Sequence, residues 1–124
     1  MTLPEYRRVR QYLLDTADAV EVAKRPDYTI DDPDVLINFK RVADRTGITP
    51  EQALQTYALK HEDAITRIMR NPMASFSEPA ILRFADRLNY LSLGLALLVE
   101  RGAVVLPAAE TQLDLPFGQP RLPR

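Results

Sequence analysis

The sequence predicts an all-α protein, a bundle of about four helices followed by a proline-rich, partly disordered C-terminal tail. Three observations carry this expectation. Apolar residues recur at steps of three and four in four separate segments. Each segment is bounded by capping residues, proline or glycine. From Ala103 onward the chain holds four of its ten prolines and shows neither a helical nor an alternating period. The expected organisation is therefore a helical domain over 1–102 and an extended tail over 103–124.

The first segment, "TLPEYRRVRQYLLDTADAVEVAKR", opens with Thr2 as cap and Glu5 three residues on, a reciprocal capping pair, with Pro4 in the first turn. Tyr6, Val9, Leu13, Ala17 and Val20 share its inward stripe, and Pro26 is expected to end the helix near Arg25. An aspartate-rich connector follows, in which Asp32 or Asp34 caps a short second helix. That helix has Val35, Phe39, Val42 and Ala43 as its stripe and Gly47 as its stop. The run Asp31, Asp32 and Asp34 lacks the spacing and glycine of a calcium loop.

The third helix begins at Thr49, Pro50 and Gln52, a second capping box, and carries Leu54, Tyr57, Ala58, His61, Ile65 and Ile68 on one face. The fourth takes Ser77 as cap, Pro79 in its first turn and Gly102 as its stop. From Tyr90 to Val99 it is apolar nearly all round, which predicts a helix surrounded by others and the centre of the core. So much apolar surface also leaves homo-oligomerisation open.

Composition excludes several classes of function. A formal charge of -1 gives no bulk attraction to nucleic acid or an anionic membrane, so direct nucleic-acid binding is not expected. The absence of cysteine removes disulfides, thiolate nucleophiles and cysteine-based zinc sites together. The longest apolar stretch, "YLSLGLALLV", is about half of the roughly 20 residues that cross a bilayer, and the N-terminus lacks a signal-peptide core. These features lead to the expectation of a cytoplasmic protein.

One stretch of the tail stands apart. "QLDLPF", Gln112 to Phe117, has glutamine, leucine, a free position, leucine, a free position and phenylalanine. It resembles the hexapeptide by which clamp-loader, polymerase and repair proteins dock on the bacterial DNA sliding clamp. The resemblance implies that Gln112 hydrogen-bonds in a polar subsite, that Leu115 and Phe117 fill an apolar pocket with Leu113 beside them, and that Asp114 faces solvent. A short extended peptide with a few anchors and a proline suits that mode of binding, because little order has to be imposed on it. The alternative role for Leu113, Leu115 and Phe117 is a hydrophobic latch folded back on the bundle.

In the body, Lys24, Asp27-Tyr28, Asn38-Phe39, Lys60 with Arg67, Glu78 and "DRLNYL" from Asp86 carry a second resemblance. Over about two thirds of the chain it is similar to small phage-borne helical families linked to nucleotide modification, some of them MazG-like pyrophosphohydrolases. MazG-like enzymes hold magnesium on glutamates three apart on one helix and a glutamate–aspartate pair on the next. This sequence has neither ExxE nor ExxD. The nearest substitutes are Asp15 and Asp18 with Glu21, and Glu62 or Asp63 with Asp86. No metal ligands are therefore assigned, and magnesium enters only under the enzyme reading.

Asp86 and Asn89 lie three apart where the fourth helix becomes apolar, so a carboxylate enters the core and needs a partner. Arg67, Arg83, Lys60 and His61 are the candidates. Lys60, His61, Arg67, Asp86 and Asn89 could line a nucleotide pocket between the third and fourth helices, or form a buried network that fixes helix register. Three functions follow: a phage-like clamp-docking protein that modulates or accompanies replication, a MazG-like nucleoside triphosphate pyrophosphohydrolase, and a nucleotide sponge without chemistry.

Overall fold

A computed structural model describes residues 1–29 and 31–108. Among them the chain forms four helices and no strand: α1 (Leu3–Thr29), α2 (Ile37–Thr46), α3 (Pro50–Arg70) and α4 (Ala80–Arg101). The clamp-like motif, with Gln112, Leu113, Leu115 and Phe117, lies outside the described residues.

The local signals at the helix ends often act as read. The Thr2 hydroxyl accepts the Glu5 backbone N–H at 3.3 Å while the Thr2 N–H donates to the Glu5 carboxylate at 2.5 Å. Thr49 and Gln52 form the same reciprocal pair at 3.1 and 3.0 Å. Gly47 and Gly102 take the left-handed conformation, with φ of 74° and 84°, in which their N–H groups return to the last turns of α2 and α4.

Other boundaries move. α1 does not stop at Arg25 but runs through Pro26 to Thr29. The proline forfeits one backbone hydrogen bond, and tertiary packing outweighs it: Thr29 is buried, its hydroxyl donates to the Arg25 carbonyl, and Lys24 is tied to α4. Ser77 does not cap α4. The helix starts three residues later from an extended Pro79, and Glu78 instead pairs with Arg83 at 2.9 Å. Asp32 and Asp34 both serve the start of α2. Asp32 accepts the Asp34 N–H and Asp34 accepts the Leu36 N–H, a relay of two side-chain turns.

The core gathers Leu36 and Phe39 from the second segment, Ala53, Leu54 and Ala58 from α3, and Tyr90 and Leu97 from α4. Phe39 meets Tyr57 and Tyr90 edge-on, with ring centres 6.3 Å away in each case. Val35, assigned to the stripe, is exposed. Lys40 clamps the rim by reaching Asp34 and Glu100 at 2.5 Å each, and Arg101 of α4 forks onto Glu51 of α3.

Two stripes are less covered than their composition predicts. In α1, Ala17 is buried and Leu13 and Val20 are half-buried, but every residue from 1 to 12 is exposed, Tyr6 and Val9 included. In α4, Tyr90 and Leu97 face inward while Leu91, Leu95 and Leu98 remain 54%, 47% and 37% exposed. α4 is thus central to the bundle on one side only, and its other side stays open.

Candidate functional site

The charged group driven into the core is Asp86. It is 4% exposed, and its two oxygens face different helices: Oδ1 accepts from the Lys24 ammonium of α1 at 3.0 Å, and Oδ2 lies 3.6 Å from His61 Nδ1 on α3. One turn along α4, the Asn89 amide donates to the Ala17 carbonyl of α1 at 2.9 Å. Lys24 and Asn89 therefore fix α1 antiparallel to α4, and Asp86 with His61 ties α4 to α3.

Lys24 is the residue that sequence reasoning missed as the partner of Asp86. Its signal was present, since Lys24 stands seven residues after Ala17 and four after Val20, on the stripe that packs against α4. The candidates put forward instead go elsewhere. Lys60 and Arg67 are exposed. Arg67 lines a separate polar groove with Ser77, Glu78 and Arg83. Of the five predicted pocket residues, His61, Asp86 and Asn89 are brought together, and Lys60 and Arg67 are not part of that cluster.

His61 is 4% exposed and stacks on Tyr90 with ring centres 5.1 Å apart. Its Nδ1 has no hydrogen-bond partner among the described residues, because 3.6 Å to Asp86 is beyond hydrogen-bonding reach. Burial holds the imidazole pKa below its usual value. Asp86 pulls it upward, Lys60, Arg83 and Lys24 push it further down, and desolvation prevails. The folded state thus binds fewer protons than the unfolded chain below about pH 6.5, the ordinary histidine value. Stability is complete above that pH and falls as the pH drops toward the folded-state pKa of His61. Since this is the only histidine, His61→Phe should flatten the fall in Tm between about pH 6.5 and 5, measured by circular dichroism. An unchanged slope would assign the acid sensitivity to the carboxylates.

Beside this cluster a cavity opens between α1, α2 and α4, lined by Lys24, Thr29, Phe39, Asp86, Asn89 and Tyr90 among others. Only about 50 Å³ of it is open to the centre of a water molecule, enough for a few waters at the roughly 10–15 Å³ each requires. Small-molecule sites run to several hundred Å³, roughly 300–1,000, so a nucleoside triphosphate does not fit it. No group of three or more carboxylate or imidazole side chains that could hold a metal ion occurs among the described residues. No described helix is long and apolar enough to cross a membrane.

Comparison with known proteins leaves the chain by itself: no protein-family model, no curated protein and no solved structure matches it. Any functional reading therefore stands on its own residues.

The arrangement can hold a charge and a register. A carboxylate beside an imidazole resembles an acid–base dyad, but a general base must reach the proton it removes. His61 is enclosed by Tyr90 and the helices around it, and the adjoining cavity has no room for a nucleotide substrate. What the contacts show is that the cluster links α1, α3 and α4.

Proposed function

We propose that this chain is an interaction protein that docks on the bacterial DNA sliding clamp through Gln112, Leu113, Leu115 and Phe117, and so accompanies or modulates replication. The observation that carries this reading is the match of Gln112–Phe117 to every defining position of the clamp-binding hexapeptide. The way the bundle ends supports it. α4 closes at Gly102, and Val105 and Leu106 beyond it are exposed rather than packed on the helices. Gln112 stands ten positions after Gly102, a reach of up to about 35 Å when extended. The motif can therefore occupy a clamp pocket while the bundle stays clear of the clamp surface.

A phage-like nucleotide enzyme or nucleotide sponge draws less support. Its five pocket residues are divided between a buried cluster and an exposed face, and none of them lines the larger cleft between α3 and α4.

Calorimetric titration of the full chain into a clamp tests the proposal. Saturable binding is expected, and the double substitution Gln112→Ala with Phe117→Ala should weaken it at least about 100-fold, since two buried anchors contribute at least about 1.4 kcal/mol each. Binding that survives the double substitution would move the contact to the bundle. Absence of binding by the intact chain would end the clamp reading.

A further inference from the structure

Phe84, Leu88, Leu91, Leu95 and Leu98 follow one another along α4 at steps of four, three, four and three. That spacing is the heptad seam by which one helix packs lengthwise on another. The bundle does not use it. Phe84 and Leu88 are half-buried, and Leu91, Leu95 and Leu98 are exposed. Tyr90 and Leu97 supply the inward face instead.

Next to this ridge runs a groove. Between α3 and α4 a cleft of about 370 Å³ is lined by Leu54, Ala58, Leu91, Gly94 and Leu98. Gly94 lies at its floor against Leu54, where a Cβ would stand 3.5 Å from the Leu54 side chain, an ordinary packing distance. Arg87 with Glu62, at 2.6 Å, and Arg101 with Glu51 form a charged rim on the α3 side.

We infer that this face binds a second copy of the chain, α4 against α4 about a two-fold axis. A ridge and a groove side by side on one helix are self-complementary under that operation. The leucine ridge of each copy enters the Gly94 groove of the other, as an isologous interface requires. The seam's period calls for a helix, which distinguishes a second copy from the proline-rich tail.

α1 does not cover the seam, because it meets α4 round the other side of the helix, where Lys24 reaches Asp86 and Asn89 reaches the Ala17 carbonyl. Leu91, Leu95 and Leu98, 54%, 47% and 37% exposed, are thus open to the same ridge of a second copy.

Sedimentation equilibrium of the full chain should give twice the 14.1 kDa monomer mass, with dissociation on dilution. Leu91→Glu with Leu95→Glu, both at exposed positions, should leave the helical circular dichroism intact and weaken association at least about 100-fold, because each copy would bury two carboxylates. As the chain has no cysteine, Leu95→Cys offers a single thiol that a short bis-maleimide should link between copies, whereas Asp63→Cys on the exposed face of α3 should not link. A chain that stays monomeric at ~100 µM, where even a weak dimer would be populated, overturns the inference. So does a dimer indifferent to the glutamates. Clamp binding is read separately, so either idea can fail alone.

Discussion

Phe39→Ala should lower the stability of the bundle by about 3–5 kcal/mol, the range for removing a buried aromatic ring. For a domain of this size that lowers Tm by roughly 12–20 °C, at about 4 °C per kcal/mol. Phe39 is 3% exposed, with Tyr57 of α3 and Tyr90 of α4 edge-on to its ring and Leu36, Leu54 and Leu97 in the same cluster. The loss has two parts, the ring's transfer from water and the void left behind. Phe39→Leu retains most of the volume and should cost about 1.5 kcal/mol or less. Thermal melts of the three chains measure this directly. A loss below about 1 kcal/mol for the alanine variant would mean that α2 docks through its rim, Lys40 on Asp34 and Glu100, rather than through its ring. The same variant separates the bundle from its tail. If the proposed clamp docking resides in the hexapeptide alone, the variant should bind a clamp as the parent chain does below its melting temperature.

What the sequence made legible were features set within a few residues of each other. The Thr49–Gln52 and Thr2–Glu5 boxes and the two left-handed glycines need only neighbours three or four positions away, and the structure places them as read. Pro26 departs from its reading for the complementary reason: a local breaker is outvoted by a distant contact, Lys24 with Asp86. Ser77 is a different case, a local cap displaced by its own neighbours, since α4 begins from Pro79 and Glu78 pairs with Arg83. The candidate site divides in the same way. The inward placement of His61 follows from its helical stripe, whereas the pairing of Asp86 with a lysine 62 positions away depends on how α1 lies across α4. Period alone could not say which half of an all-apolar helix is covered. α4 shows that apolarity on every side can mean burial on one face and an open seam on the other.

Lys24→Met is the sharper test of what the Asp86 cluster does. Methionine keeps much of the lysine stem but removes the cation 3.0 Å from Oδ1, leaving a 4%-exposed carboxylate with only a neutral imidazole at 3.6 Å. Breaking a fully buried pair costs about 3–5 kcal/mol. The Lys24 side chain is 40% exposed, so water screens the pair and a loss of about 1–3 kcal/mol is expected. Asp86→Leu in the same chain should return most of that stability, because an apolar replacement of both partners removes the desolvation cost along with the attraction. The cycle should therefore give a coupling of about 1–3 kcal/mol between positions 24 and 86. A register tie predicts that the double variant, Lys24→Met with Asp86→Leu, folds, binds a clamp and associates as before. Suppose instead that this double variant melts like the parent yet loses magnesium-dependent hydrolysis of a nucleoside triphosphate that the parent displays. The cluster would then be a catalytic centre opened by a motion of α1, and the tie between the three helices would be its closed state.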